Sequence, residues 1–242
     1  MNQKYWWIII TYIVMQISSL LGIPLLLRTG WYHTYSRSVQ IEMASAHWAI
    51  ISFVTALIII LLLLRHDDDP LARNKMGIGY TILWMFAGIF LALFAQTIAA
   101  NIEMRIFGIN PGSENTQRLV DIAKVSPLFI LVTSIFGPIM EEIVFRKILF
   151  GSLYKHFHFF VAAIISSLIF ATVHFDFSHL LVYTSMGFVF SFLYIHTRRI
   201  IVPIFAHVMM NTIVILINIG LHDYLDKMMK QAETLHTIIG GF

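Results

Sequence analysis

The stretch AHWAIISFVTALIIILLLL at residues 46–64 decides the fold class of this chain. Its last seven residues, IIILLLL, carry no polar atom outside the backbone. An α-helix rises about 1.5 Å per residue, so about 20 mostly apolar residues are needed to cross roughly 30 Å of hydrocarbon. Residues 46–64 meet that requirement, and we therefore predict a transmembrane helix there.

The composition of the whole chain points to the same environment. Of its 242 residues, 58% are hydrophobic and 12% are charged, and the mean hydropathy is +0.80. Soluble chains average about 45–50% apolar and about 25% charged residues. The surplus of apolar residues predicts a membrane protein and excludes an ordinary soluble domain. The chain has no cysteine, which excludes disulfides, thiolate zinc sites and cysteine nucleophiles.

Six further stretches are long and apolar enough to be predicted spans. They lie at 6–27, 77–100, from 127 onward, 159–175, 180–194 and 200–220. We therefore predict an all-α fold, a polytopic membrane bundle of about seven to eight transmembrane helices. It divides into residues 1–124, which carry helices without a catalytic motif, residues 125–220, which carry the polar motifs, and a short amphipathic tail at 221–242.

The distribution of basic residues predicts the topology and the partners. The clusters RHDDDPLARNK at 65–75 and HTRR at 196–199 favour a cytoplasmic placement of those loops, with the N-terminus inside. The net charge of +3 comes from basic residues spread over short loops, which fits a lipid bilayer and not a nucleic acid. We expect an integral protein of the bacterial cytoplasmic membrane.

The fourth predicted span contains charged groups in the sequence GPIMEEIVFRKILF at 137–150. Such groups cost at least about 2.5–3.5 kcal/mol each on insertion scales, so they are usually functional. Glu142 and Arg146 are four residues apart, share a helix face and can pair. Glu141 lies about 100° around the helix, and a partly dehydrated carboxylate is suited to general-base catalysis. Pro138 predicts a kink just before the pair. The alternative is a structural ion pair with a spare carboxylate.

Two later segments add polar groups at helical spacing. Phe170 and His174 are one turn apart near the end of the fifth span, and His207 and Asn211 are one turn apart within the seventh. Taken singly, His174 could be an interfacial histidine and Asn211 a helix-packing residue. Taken together, the three segments predict one intramembrane cavity in which a base activates water and donors stabilise an oxyanion, as amide hydrolysis requires.

The pattern Glu141-Glu142-x-x-x-Arg146, Phe170-x-x-x-His174, His207-x-x-x-Asn211 resembles the CAAX protease and bacteriocin-processing (CPBP, or Abi) family of intramembrane endopeptidases, over about residues 125–220. The resemblance implies that Glu141 and His174 orient and deprotonate the attacking water, while His207 and Asn211 polarise the scissile carbonyl. Glu142 and Arg146 would be the supporting pair, together with Phe170. It also leaves open a divalent metal such as zinc, held by Glu141, His174 and His207 if present.

The resemblance further implies a membrane-embedded peptide or protein substrate. Leader sequences, peptide pheromone precursors, bacteriocins and CAAX-like proteins are the expected classes. Two other functions remain open at this stage. One is a catalytically silent membrane scaffold or regulator, and the other is a proton-coupled transporter with intramembrane Glu and His as a relay.

Overall fold

The computed structural model describes residues 2–65, 67, 71, 74–110 and 112–239, and within them every regular element is helical. The first four helices are α1 (Gln3–Arg28), α2 (Arg37–Leu64), α3 (Ile78–Phe107) and α4 (Glu114–Val125). Helix α5 is a continuous run of segments, Phe129–Leu131, Val132–Phe136, Gly137–Glu141, Glu142–Phe150 and Gly151–Leu153. It is followed by α6 (Phe159–Thr172), a 3₁₀ turn (Phe177–His179), α7 (Leu180–Thr197) and α8 (Ile201–Ile239). The all-α prediction is confirmed.

Five of the described helices have the length and composition of a membrane span: α1, α2, α3, α7 with its preceding 3₁₀ turn, and the first part of α8. Their outer faces are apolar and uncovered, as Leu21 at 81% exposure and Phe90 at 72% exemplify. Such faces would aggregate in water and are satisfied by lipid. The chain is therefore an integral membrane protein. Helix α6 has 14 residues, which is about 21 Å and too short to cross the hydrocarbon core upright.

Two regions extend the sequence-based description. The polar stretch at 101–126 contains α4, whose N-cap Ser113 accepts a hydrogen bond from the backbone N–H of Thr116 (3.1 Å). The backbone of α8 continues as far as Ile239, so much of the predicted tail at 221–242 is helical. The side chains that would make this tail amphipathic lie outside the described residues, as do several of the cluster at 65–75 on which the predicted orientation relies.

Helix α5 lies at the centre of the bundle. Its buried residues pack with α1, α2, α6 and α7 in one apolar cluster that includes Met140, Phe145 and Phe170. A second cluster joins α3, α7 and α8. Small residues let these helices approach closely, because a Cβ at Gly88 would lie 2.8 Å from the side chain of Leu193.

The centre of α5 is irregular around Pro138. The segment Val132–Phe136 is π-helical, with the Gly137 N–H bonded to the Val132 carbonyl. In the same i→i+5 pattern, the Thr133 carbonyl would need a donor at residue 138, and proline has none. The predicted disruption before the carboxylate pair therefore takes the form of a π-helical turn with one carbonyl left free for another partner. A second π-helical segment, Glu142–Phe150, begins at the pair itself.

Candidate active site

The two adjacent carboxylates of α5 have different environments. The Glu142 side chain is fully buried, and its Oε1 atom lies 3.0 Å from Arg146 Nη1 and 2.8 Å from His207 Nδ1. The predicted pairing of Glu142 with Arg146 is confirmed. Glu141 keeps 16% of its side chain exposed, and its nearest charged neighbour is His207 Nε2, 3.7 Å from Oε2. Glu142 is thus held by its two buried partners, whereas the partly exposed carboxylate of Glu141 can contact water.

The guanidinium of Arg146 is held by charge and aromatic faces. It is 1% exposed, and its carbon Cζ lies 4.1 Å from the centroid of the Phe170 ring and 5.2 Å from that of Phe190. Neither Nη atom makes a well-aligned hydrogen bond with the described residues. Cation–π contacts of a desolvated Arg are worth about 2 kcal/mol or more. Arg146 therefore neutralises the Glu142 carboxylate and, among the described residues, forms no ion pair with Glu141.

The two predicted histidines are held in the same way, by a hydrogen bond at Nδ1 and a ring stack. His174 Nδ1 lies 2.8 Å from the backbone oxygen of Phe170, and its ring stacks on Tyr183 at 4.2 Å. His207 Nδ1 lies 2.8 Å from Glu142 Oε1, and its ring stacks on Phe190 at 4.6 Å. Both Nδ1 partners are acceptors, so each Nδ1 carries the proton and each Nε2 is left for chemistry.

Asn211 lies one turn beyond His207 and is anchored on α5. Its Nδ2 atom donates to the Thr133 carbonyl at 3.2 Å. That carbonyl is the one that Pro138 leaves without an intrahelical donor. The bond uses one amide hydrogen of Asn211 and leaves the second available. The irregular turn of α5 before Pro138 therefore supplies the carbonyl to which Asn211 is bonded.

Phe170 is the common neighbour of the predicted site residues. Its ring centroid lies 4.6 Å from that of His174 and 6.0 Å from that of His207, and the Arg146 guanidinium covers its face. The structure thus brings Glu141, Glu142, Arg146 and His207 into one cluster, with His174 joined to it through Phe170. Among the described residues no hydrogen bond links His174 directly to either carboxylate. Asn211 is joined to α5, the helix that carries the carboxylates of this cluster, by its bond to the Thr133 carbonyl.

The proposed metal ligands do not form a metal site. Among the described residues, no group of three or more His, Cys, Asp or Glu side chains is arranged to hold a metal ion. His207 also directs Nδ1 to the Glu142 carboxylate and Nε2 toward Glu141, instead of sharing an ion with His174. Glu141, His174 and His207 therefore do not fit a zinc ligand set, and we assign no step to a metal.

Three residues of the site were not predicted from the sequence. Tyr183 and Phe190 stack on the two imidazoles, and both come from α7, seven residues or about two turns apart. This spacing places them on one helix face, but aromatic residues are common in spans and give no specific signal. The third is Glu103 of α3, which is 2% exposed and accepts hydrogen bonds from the backbone N–H groups of Leu181 (3.0 Å) and Val182 (3.1 Å). A buried acid near a predicted span end was a detectable signal.

Comparison with known proteins gives a family match and two full-length relatives. Residues 123–213 match the family model described as "Type II CAAX prenyl endopeptidase Rce1-like". The chain is 49% identical to the "Putative membrane peptidase YdiL" of Bacillus subtilis (strain 168), over 100% of this chain and 99% of the relative. It is 31% identical to the "Membrane-embedded CAAX protease MroQ" of Staphylococcus aureus (strain USA300), over 97% and 98% of the two chains. No solved structure matches.

Proposed function

Because this chain belongs to the Rce1-like family of type II CAAX endopeptidases, and is a membrane endopeptidase of a bacterial membrane, we propose that it cleaves membrane-associated peptides with a water molecule activated by Glu141. The observation that carries this proposal is the contrast between the two carboxylates. Glu142 is buried and ion-paired, whereas Glu141 is partly exposed and lies beside His207. A free carboxylate in a poorly hydrated site is suited to general-base catalysis.

Glu141 and His174 are the proposed groups that act on water. Glu141 takes a proton from the water as its oxygen attacks the scissile carbonyl carbon. The Nε2 lone pair of His174 accepts a hydrogen bond from the same water and orients it, since Nδ1 is held by the Phe170 carbonyl. Glu141 then returns the proton to the leaving nitrogen as the C–N bond breaks, which releases an acid and an amine and restores the carboxylate.

His207 and Asn211 are the proposed donors to the developing oxyanion. Asn211 has one amide hydrogen that is not used by Thr133. His207 offers Nε2–H when its ring is doubly protonated, and the hydrogen bond from Nδ1 to Glu142 Oε1 holds the ring in place. Preorganised donors of this kind contribute about 2.7–4 kcal/mol each to transition-state stabilisation. Their positions are supported by the ring stack on Phe190 and by the bond to Thr133.

The proposed substrates are small peptides or extended segments that reach the site from the membrane. A catalytic cluster surrounded by lipid-facing helices excludes folded proteins by size and accepts an extended chain. Leader sequences, pheromone precursors, bacteriocins and CAAX-like proteins all meet this requirement. The name of the staphylococcal relative, a membrane-embedded CAAX protease, supports a substrate at the membrane.

The test compares wild-type protein with the Glu141→Gln variant. The full chain, purified and reconstituted in proteoliposomes, is incubated with an equimolar library of synthetic decapeptides, and cleaved bonds are identified by mass spectrometry. Wild-type protein should produce defined cleavages, and Glu141→Gln should lose at least 100-fold in rate. Undiminished cleavage by the variant would contradict the mechanism. A wild-type protein that cleaves nothing, in the library or among the peptides of cell membranes, would favour the scaffold or transporter hypothesis.

A further inference from the structure

A cavity of about 500 Å³, lined by both apolar and polar side chains, lies between α3, α4, α7 and α8, beside the proposed catalytic cluster. Ligand pockets in proteins usually have volumes of about 300–1,000 Å³. We infer that this cavity binds the peptide segment next to the scissile bond and selects segments without negative charge. The inference rests on the proposed function, because it names the substrate region of the same site.

The first argument is position. Two site residues, Tyr183 and Asn211, line the cavity directly. From there the cavity extends to the connection between α3 and α4, where its lining includes Asn110, Gly112 and Ser113. Ser113 donates a short hydrogen bond to Asp176 (2.6 Å), which lies two residues after His174. The cavity therefore runs from the connection between α3 and α4 to Tyr183 and Asn211.

The second argument is hydrogen-bonding chemistry. The lining contains carboxamide and hydroxyl groups at positions where a span would ordinarily be apolar. Gln96 is half-buried in the C-terminal half of α3, and its side chain makes no hydrogen bond within the part of the chain that the structure describes. Asn218 donates to the carbonyl of Val214 in its own helix and keeps its Oδ1 acceptor. An extended peptide brings unpaired N–H and C=O groups and would satisfy these side chains.

The third argument is charge. The lining contains two glutamates, Glu103 and Glu114, and no lysine or arginine. Glu103 is committed to the His179 ring (2.8 Å) and to the first N–H groups of α7. Glu114 is exposed and has no ion-pair partner among the described residues, so its charge acts on whatever enters the cavity. The histidine of the lining, His179, is already paired with Glu103. An acidic peptide residue would therefore meet the Glu114 carboxylate with no lysine or arginine in the lining to compensate it, which is costly at an interface.

Single-cysteine labelling tests the cavity without any need for a substrate. Because the native chain has no cysteine, Gln96→Cys gives a unique thiol in the proposed cavity, and Thr97→Cys gives a matched thiol on an exposed face of the same helix that we expect lipid to cover. The probes are the cationic and anionic methanethiosulfonates MTSET and MTSES, applied to the full chain in proteoliposomes.

The expected result is rapid reaction of Gln96→Cys and none of Thr97→Cys. After each rate is divided by the rate of the same reagent with a small free thiol, the cationic reagent should be favoured on the order of tenfold, since a nearby carboxylate favours the cation. Adding Glu114→Gln should reduce this preference, whereas adding Glu42→Gln, outside the cavity, should leave it unchanged. An unreactive Gln96→Cys, or equal normalised rates for the two reagents, would overturn the inference.

The same variants connect the cavity to cleavage. In the decapeptide assay, wild-type cleavage sites should lack Asp and Glu beside the scissile bond, and Glu114→Gln should relax this exclusion. MTSET should block cleavage by Gln96→Cys at least tenfold and leave Thr97→Cys active. Full cleavage by modified Gln96→Cys, or acidic residues beside the cleaved bonds of the wild type, would contradict the role of the cavity. If instead Glu141→Gln retains cleavage, the proposed mechanism fails while the labelling result stands.

Discussion

The different environments of Glu141 and Glu142 make a prediction that separates catalysis from stability. Glu142→Gln removes the charge that lies 3.0 Å from Arg146 Nη1, in a site where both side chains are buried. With an effective dielectric constant of about 20, that separation corresponds to a gross attraction of about 5 kcal/mol. Breaking a buried pair from one side typically costs about 3–5 kcal/mol, because the remaining charge is uncompensated. We therefore expect Glu142→Gln to lower the free energy of unfolding by about 3–5 kcal/mol.

Glu141→Gln should have the opposite profile. Its carboxylate is partly exposed and its closest charged contact is 3.7 Å away, so the free energy of unfolding should change by less than about 1 kcal/mol. The cleavage rate should fall about 100- to 10,000-fold, as for loss of a general base. Unfolding is followed by tryptophan fluorescence during SDS titration of the protein in mixed micelles, and cleavage by the decapeptide assay. Glu42→Gln serves as the control and should change both quantities little.

Two results would refute this division of roles. The first is a Glu141→Gln variant that is destabilised as strongly as Glu142→Gln, because the two carboxylates would then be equivalent. The second is a Glu142→Gln variant within about 0.5 kcal/mol of the wild type, because Arg146 would then not depend on this partner. Loss of activity in Glu142→Gln is expected as well, but it carries no information unless the protein is folded. For each variant, the quantity to compare is therefore the loss of cleavage rate relative to the loss of unfolding free energy.

Three further substitutions test the packing and the hydrogen bonds of the site. Tyr183→Ala removes a stacked ring and should lower kcat about two- to tenfold in the decapeptide assay, whereas Tyr183→Phe keeps the ring and the activity; equal kcat values would contradict the stacking role. Asn211→Leu leaves a half-buried carbonyl of α5 without its donor and should cost about 1–3 kcal/mol in the SDS titration; a neutral effect would argue against that bond. Gly187→Ala places a Cβ 2.9 Å from Ser167 and should destabilise by about 1–3 kcal/mol, while Gly79→Ala, with open space around it, should not; similar midpoints for both would contradict the close helix approach.

The polar core of the site was predictable from the sequence because lipid makes it conspicuous. Glu142 and Arg146 are four residues apart in an otherwise apolar segment, and a buried pair is the least costly way to keep them there. The same argument grouped His207 with them, and the structure places its Nδ1 against Glu142. The sequence alone did not reveal which histidine contacts the Glu142 carboxylate, because Glu142 and His207 are 65 residues apart in the chain.

The remaining features depend on packing between distant segments. Pro138 predicts a disruption of α5, but no residue motif predicts that it takes π-helical form or that a second π-helical segment follows at Glu142–Phe150. The stacking of Tyr183 and Phe190 on the imidazoles requires the rotation of α7, which only its neighbours determine. Helix α4 has a recognisable cap at Ser113, but its docking uses contacts with distant segments, among them the bond to Asp176 and the packing of Ala123 in an apolar cluster with α2 and α5. Local patterns therefore identified the polar residues that cluster better than the elements that hold them.

The contacts between α3 and α7 give the N-terminal region a role in positioning the site, although no catalytic motif is predicted in that region. Helix α7 carries both rings that stack on the imidazoles, and the beginning of α7 is capped by Glu103 of α3 through two backbone N–H groups. A carboxylate near a helix N-terminus also interacts favourably with the positive end of the helix dipole and so stabilises the helix. If Glu103 were lost, α7 could rotate or shift, and both imidazoles would lose their alignment together. The geometry of the polar cluster within residues 125–220 therefore depends on residues that precede it in the chain.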